Sequence, residues 1–109
     1  MADALAERCT MLGGPVIGLM QAVMGSQVNA IRFVEVIERA REIQRIVARG
    51  TEGIDDPAYT RWVATAPVVL DEIIDGAEHR DRDRVWAAFS DPERGMNALA
   101  AACTGQPGW

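Results

Sequence analysis

Apolar residues recur at threes and fours along the whole chain and no run alternates with period two, so the pattern predicts helices and no strand. The clearest helix runs from Gln27 to Arg49. Ile31, Val34, Ile37, Ala40, Ile43 and Val47 fall on one side, with Glu35, Glu38, Arg39, Glu42, Arg45 and Arg49 on the other. Glu35–Arg39 at i,i+4, with Glu38–Arg41 and Glu42–Arg45 at i,i+3, are predicted pairs of about 0.2–0.5 kcal/mol each. Gly50 supplies the stop.

The N-terminal part reads differently. Ala2 to Leu12 is predicted as a first helix facing inward through Leu5, Cys9 and Leu12. Gly13-Gly14-Pro15 should end it, because two glycines and a proline have poor helical propensity. Pro15 can then open a short apolar helix, Val16 to Met24. Gly25-Ser26 either separates it from the next helix or is run through.

Further along, Asp56-Pro57 is a helix start, a capping carboxylate followed by proline in the first turn. That helix points Trp62, Val63, Ala66, Val69, Leu70 and Ile73 inward and ends near Gly76, with a kink or break expected at Pro67. Residues 77–83 read as a polar connector. Arg84 to Phe89 forms a short helix with Val85, Trp86 and Phe89 as its apolar face. Ser90 and Glu93 have capping-box spacing for a last helix that turns Met96, Leu99 and Cys103 inward. The expected fold is therefore all-α: a single domain over residues 1–109, a small bundle of four to six helices with one long central helix.

Charge sharpens this picture at one place. From Cys9 to Ile31 there is no charged side chain, in a chain of 109 residues that is 25% charged. Such surface must be hidden in the core, against a partner or in a membrane. Its glycines, its proline and the amides Gln21, Gln27 and Asn29 interrupt it as a membrane span, so a membrane role is not expected. Burial in the chain's own bundle and sharing with another chain remain. Met11, Met20 and Met24 favour sharing, since flexible thioethers adapt to joint apolar surfaces. Gly18 and Ala22, four apart, would admit another helix closely.

The net charge of −5 excludes a broad nucleic-acid footprint and adsorption to anionic lipid. All eleven basic residues are arginine, which together with the wealth of alanine, glycine and aspartate fits the codon usage of a GC-rich bacterium or phage.

Candidate chemistry is sparse. Asp71, Asp75 and His79 are spaced i, i+4, i+8 and would align as metal ligands on one helix. Arg80, Arg82 and Arg84 interleave with the acids around them, so a solvated connector is the expectation and no metal or other cofactor is implied. His79 has no nucleophile placed beside it for acid–base work. Cys9 and Cys103 belong to no CxxC pair. They could staple the terminal helices if these pack side by side. With no secretory signal visible, a cytoplasmic location and two buried, reduced thiols are the expectation.

The stretch AAF followed by an alanine-rich helix ending in Cys103 resembles the C-terminal part of four-helix c-type cytochromes. Cys103 is followed by Thr-Gly-Gln-Pro rather than a second cysteine and a histidine, so haem attachment is not implied.

Of the three tryptophans, Trp62 and Trp86 are expected in the core. Trp109 belongs to no helix and is expected to dock on this chain or a neighbour. The expected function is a non-enzymatic protein-interaction module, binding another protein or itself through Met11, Val16, Leu19, Met20, Val23, Met24 and Trp109. The alternative is a bundle enclosing a small apolar ligand or cofactor.

Overall fold

The glycine–proline triplet does not break the first helix. In the computed structural model, which describes residues 4–106 and Trp109, α1 runs unbroken over Ala4–Ser26. Cys9, Leu12, Val16, Leu19 and Val23 recur at 3,4,3,4 and all are buried. Burying each large apolar side chain contributes about 1.5–3 kcal/mol. One interior proline costs about 3 and each glycine about 1. The core outweighs the breakers, which lie off the buried face. Ala2 and Asp3, expected in this helix, fall outside the described residues.

After α1 the chain turns through residues 27–29. The Asn29 side chain then accepts a hydrogen bond from Ile31 N at 3.1 Å and caps a 3-10 turn, Ala30–Arg32. Helix α2 covers Phe33–Val47 and buries Phe33, Val36, Ala40, Ile43 and Val47. From Ala40 onward this is the expected face. Before it the helix is rotated by about one residue, because Phe33 takes the inward place and leaves Ile31 and Val34 in solvent.

The ion pairs differ as well. Arg32–Glu35 at 3.0 Å and Arg39–Glu42 at 2.9 Å form in place of the expected three. The reason lies in α1. The Arg39 stem crosses Gly18 and the Arg32 guanidinium crosses Gly25, so close that a Cβ on those glycines would stand 3.0 and 3.1 Å away. Of the two small residues expected to admit a foreign helix, Gly18 is covered by this chain's own Arg39 and Ala22 is buried in the bundle.

Helix α3, Pro57–Glu78, starts as expected, with the Asp56 carboxylate accepting from Tyr59 N at 2.9 Å. It continues through the exposed Pro67 and past Gly76. Its stop is Arg80, at φ 54°, where Asp81 N donates to Gly76 O and Arg80 N to Ala77 O. Gly76 serves a different end: a Cβ there would lie 3.1 Å from Val85 Cγ2, so its absence lets α4 approach.

Helix α4, Arg82–Phe89, and α5, Met96–Cys103, complete five α-helices, with no strand among the described residues. Ser90 ends α4, donating to Trp86 O, and does not start α5. Asp91 holds the turn between them by accepting from Glu93 N and Arg94 N. Those two backbone donors are also the main reason its carboxyl is held below the usual range.

Successive helices run antiparallel, and α4 with α5 acts as one broken fourth rod. The Arg8 guanidinium near the start of α1 donates to Gly50 O and to the Tyr59 hydroxyl, so α1 begins where α2 ends and α3 begins. Gly76 near the end of α3 meets Val85 of α4, while Trp62 near its start shares a hollow with Ala98 and Ala101 of α5. The rods surround one continuous core and give an elongated body of 44 × 22 × 21 Å.

Three contacts fasten the fourth rod to α1. The structure joins Cys9 and Cys103 in a disulfide, which corrects the expectation of two free thiols. The terminal helices do pack side by side, with Cα atoms 5.8 Å apart and both residues buried. A bond closing 94 residues contributes up to about 5 kcal/mol in the chain-entropy account. Beside it, the Trp109 indole N–H donates to Cys9 O at 2.7 Å. At the opposite end, Gln27 Nε2 donates to Arg82 O and Arg82 Nη1 to Gln27 O, both at 3.1 Å.

Candidate interaction surface

A continuous α1 changes what its uncharged sequence means. With 100° between successive residues, Ile17, Met20 and Met24 form a second 3,4 series turned well away from the buried one. Their exposures are 49, 42 and 58%. Gly13, four residues before Ile17, continues the stripe toward the N-terminus, where a Cβ would stand 3.7 Å from the Trp109 indole nitrogen. Val28, Ile31 and Val34 are exposed at the far end, around the 3-10 turn.

The residues expected to bind a partner therefore separate. Val16, Leu19 and Val23 are spent in this chain's own core. Met11 is half-buried beside Arg8, Thr10, Arg49 and Glu52 in an open cleft of about 560 Å³. Trp109 is docked on this chain, at α1; Pro107 and Gly108 of the same tail lie outside the described residues. Met20 and Met24 remain outward. Ile17, absent from the expected set, joins them through its 3,4 spacing to Met20 and Met24, a spacing already contained in the expected helix Val16 to Met24.

Trp86 was also misplaced. It is 46% exposed on α4, tilted against Phe89 at 6.1 Å between ring centroids, and it shares a shallow hollow with Met24 and Gln27. Arg82, Asp83 and Arg84 precede it, so α4 buries only Val85 and Ala88. The edge between α1 and α4 is thus apolar and thinly covered between its fastened ends. The edge between α1 and α2 is filled by the arginine side chains, and Arg32 Nε is buried there without a hydrogen-bond partner among the described residues.

The acidic cluster does not converge. Asp71 accepts from Gln44 Nε2 at 2.7 Å. Asp75 is paired with the Arg84 guanidinium, and His79 Nδ1 stands 3.5 Å from it. Among the described residues, no three His, Cys, Asp or Glu side chains are grouped to hold a metal ion. The hollows are open clefts; the most apolar is lined by Val47, Ala48, Val63, Pro67, Leu70 and Gln44 and measures about 270 Å³. Helix α1 is long and apolar enough to cross a membrane by length and composition, and its inward face is used by the bundle.

No protein family, curated protein or solved structure matches this chain. Its surface has to be read from its own residues.

Proposed function

We propose that this chain is a non-enzymatic interaction module whose docking surface is the outward stripe of α1, Ile17–Met20–Met24, extended by Trp86. The observation carrying this reading is that stripe: a second apolar series on a helix already buried by its first, with no charge along it. Apolar patches of this kind on soluble chains are usually covered.

The occupant that fits is another uncharged, apolar helix face, and α1 of a second copy has one. In an antiparallel pairing centred between Ile17 and Met20, Met24 of each copy meets Gly13-Gly14 of the other, large against small. Gly13 is the residue of that pair on the stripe, and without a Cβ it leaves room for a thioether beside the Trp109 indole. Such a two-fold pairing is closed and self-complementary.

Light scattering on a chromatographed sample tests it. The chain should be a dimer at micromolar concentration, and Met20→Glu with Met24→Glu should give a monomer of unchanged melting temperature. A wild-type chain that stays monomeric at high concentration would refute the self-paired form. A stoichiometric complex with an unrelated amphipathic helix, lost in the same double variant, would assign the stripe to a different protein instead.

A further inference from the structure

We infer that the Cys9–Cys103 bond is a redox latch on the fourth side of the bundle: reducing it frees α5 and the Trp109 tail from α1 while the three-helix body α1–α3 stays folded. The inference does not rest on the docking reading: Cys9 lies on the buried face of α1, and the latch meets the stripe only at its N-terminal end, where the Trp109 indole adjoins Gly13. Its basis is where the fastenings sit. At the N-terminal end of α1, the C-terminal segment is held to it by the disulfide and by the Trp109 indole bond to Cys9 O. Both act on the same residue of α1.

Helix α5 has eight residues, too short to be stable without packing. It is also separated from α4 by the Ser90–Gly95 turn, so it can leave without dragging α4 along. The reciprocal Gln27–Arg82 bonds hold α4 at the other end and involve no sulfur. By contrast α2 lies between α1 and α3 and packs extensively on both, with no comparable packing on α5. Release also has a partial recompense. Trp62 Nε1 is buried with no partner among the described residues, in a hollow shared with Ala98 and Ala101 of α5. Opening that side gives the indole N–H a water to bond.

The chemistry is thiol–disulfide exchange with a dithiol reductant. One thiolate of the reductant attacks the Sγ of Cys9 or Cys103, the Sγ–Sγ bond breaks, and the cysteine thiolate released takes a proton. The reductant's second thiol then displaces the remaining cysteine and closes its own disulfide. Two electrons and two protons pass to the protein. Both sulfurs are buried, so attack follows a transient opening of the same edge. A reducing compartment holds the latch open and an oxidising one closes it.

The experiment uses the whole chain carrying Trp86→Phe, which leaves Trp62 and Trp109 as emitters, both beside the latch. It is compared oxidised, reduced with dithiothreitol, and as the Cys9→Ala/Cys103→Ala variant without reductant. Thiol titration confirms two free thiols in the reduced sample. The expected result is a red-shifted emission, with amide exchange at least tenfold faster in residues 96–106 and unchanged protection in α2 and the second half of α3, in both the reduced chain and the double variant. Two titrated thiols with unchanged emission and exchange would overturn the latch. So would loss of all helical signal on reduction, since the bond would then hold the entire fold.

Discussion

The two edges of α1 are closed by opposite means. Toward α2 the surface is a series of small residues, Gly18, Ala22 and Gly25, with Arg39 and Arg32 laid across the glycines. Side chains fill that edge along its length, and it has no covalent tie. Toward α4 and α5 the closure is at the ends, a disulfide and an indole bond at one and a pair of amide–guanidinium bonds at the other. Between them Met20, Met24 and Trp86 stay in solvent. A bundle edge that packs continuously is stable through burial alone, whereas an edge left apolar and open needs fastenings. The open edge is also the one with surface to offer.

The largest expected effect sharpens that contrast with one residue type. Trp62 is 1% exposed and Trp86 is 46% exposed. Trp62→Ala should cost about 3–5 kcal/mol, as truncation of a buried aromatic does. Trp86→Ala should fall within about 0.5 kcal/mol, as for a surface position. Denaturant melts of both variants check this. Equal losses would show that the α4 edge is packed after all.

Next comes the turn joining α4 and α5. A Cβ on Gly95 would stand 2.5 Å from Phe89 O and 2.6 Å from Asp91 O, both backbone atoms that cannot swing aside. Gly95→Ala should therefore destabilise by about 1–3 kcal/mol, the range for overpacking. Exchange should quicken in α5 before it does in α2. A neutral substitution would mean that the fourth rod is looser than its hydrogen bonds imply.

Gly14→Ala is the converse test. Apart from its chain neighbours and the helix's own backbone, nothing lies within 4 Å of the new methyl group, and a helix interior gains about 1 kcal/mol when glycine becomes alanine. Crowding of a Cβ against the following Pro15 offsets part of that gain, so the expected outcome is a melting temperature raised by no more than a few degrees.

Much of this architecture was legible in the chain. The 3,4 spacing of Ala40, Ile43 and Val47, the Asp56-Pro57 start and the inward Met96, Leu99 and Cys103 all come from local pattern, and all hold in the structure. What was not legible depends on distant partners. Local propensity stops α1 at Gly13-Gly14-Pro15, but burial of Leu12 and Val16 against other helices overrides it. Phe33 displaces Val34 because size at a packed position outranks regular spacing. The pairing of Cys9 with Cys103 needs the fourth rod to return along α1, which no short window contains. On the candidate surface, Met20 and Met24 were found from their chemistry. Ile17 is absent from the expected set, and Val16, Leu19 and Val23 stand in it, for one reason: a run without charge does not say which face is already used.

The smallest effect concerns Tyr59, which ties the filled side of the molecule to the start of α1. It is fully buried, and its hydroxyl accepts from the Arg8 guanidinium at 3.4 Å. Burial raises its pKa above the ordinary value of 10.0, against an opposing pull from the Arg8 hydrogen bond and charge. A phenol whose pKa is higher folded than unfolded holds its proton more tightly in the native state. Its contribution to stability is therefore complete below pH 10 and is lost as pH rises from there through the folded value. Tyr59 is the single tyrosine in the chain, so phenolate absorbance follows this group alone. The native titration should lie above that of the chain in denaturant. Replacing Arg8 with leucine removes the hydrogen bond and positive charge that favour the phenolate and should move the native midpoint higher still. A downward move would show that Arg8 keeps this site dry, and that losing it lets water reach the ring.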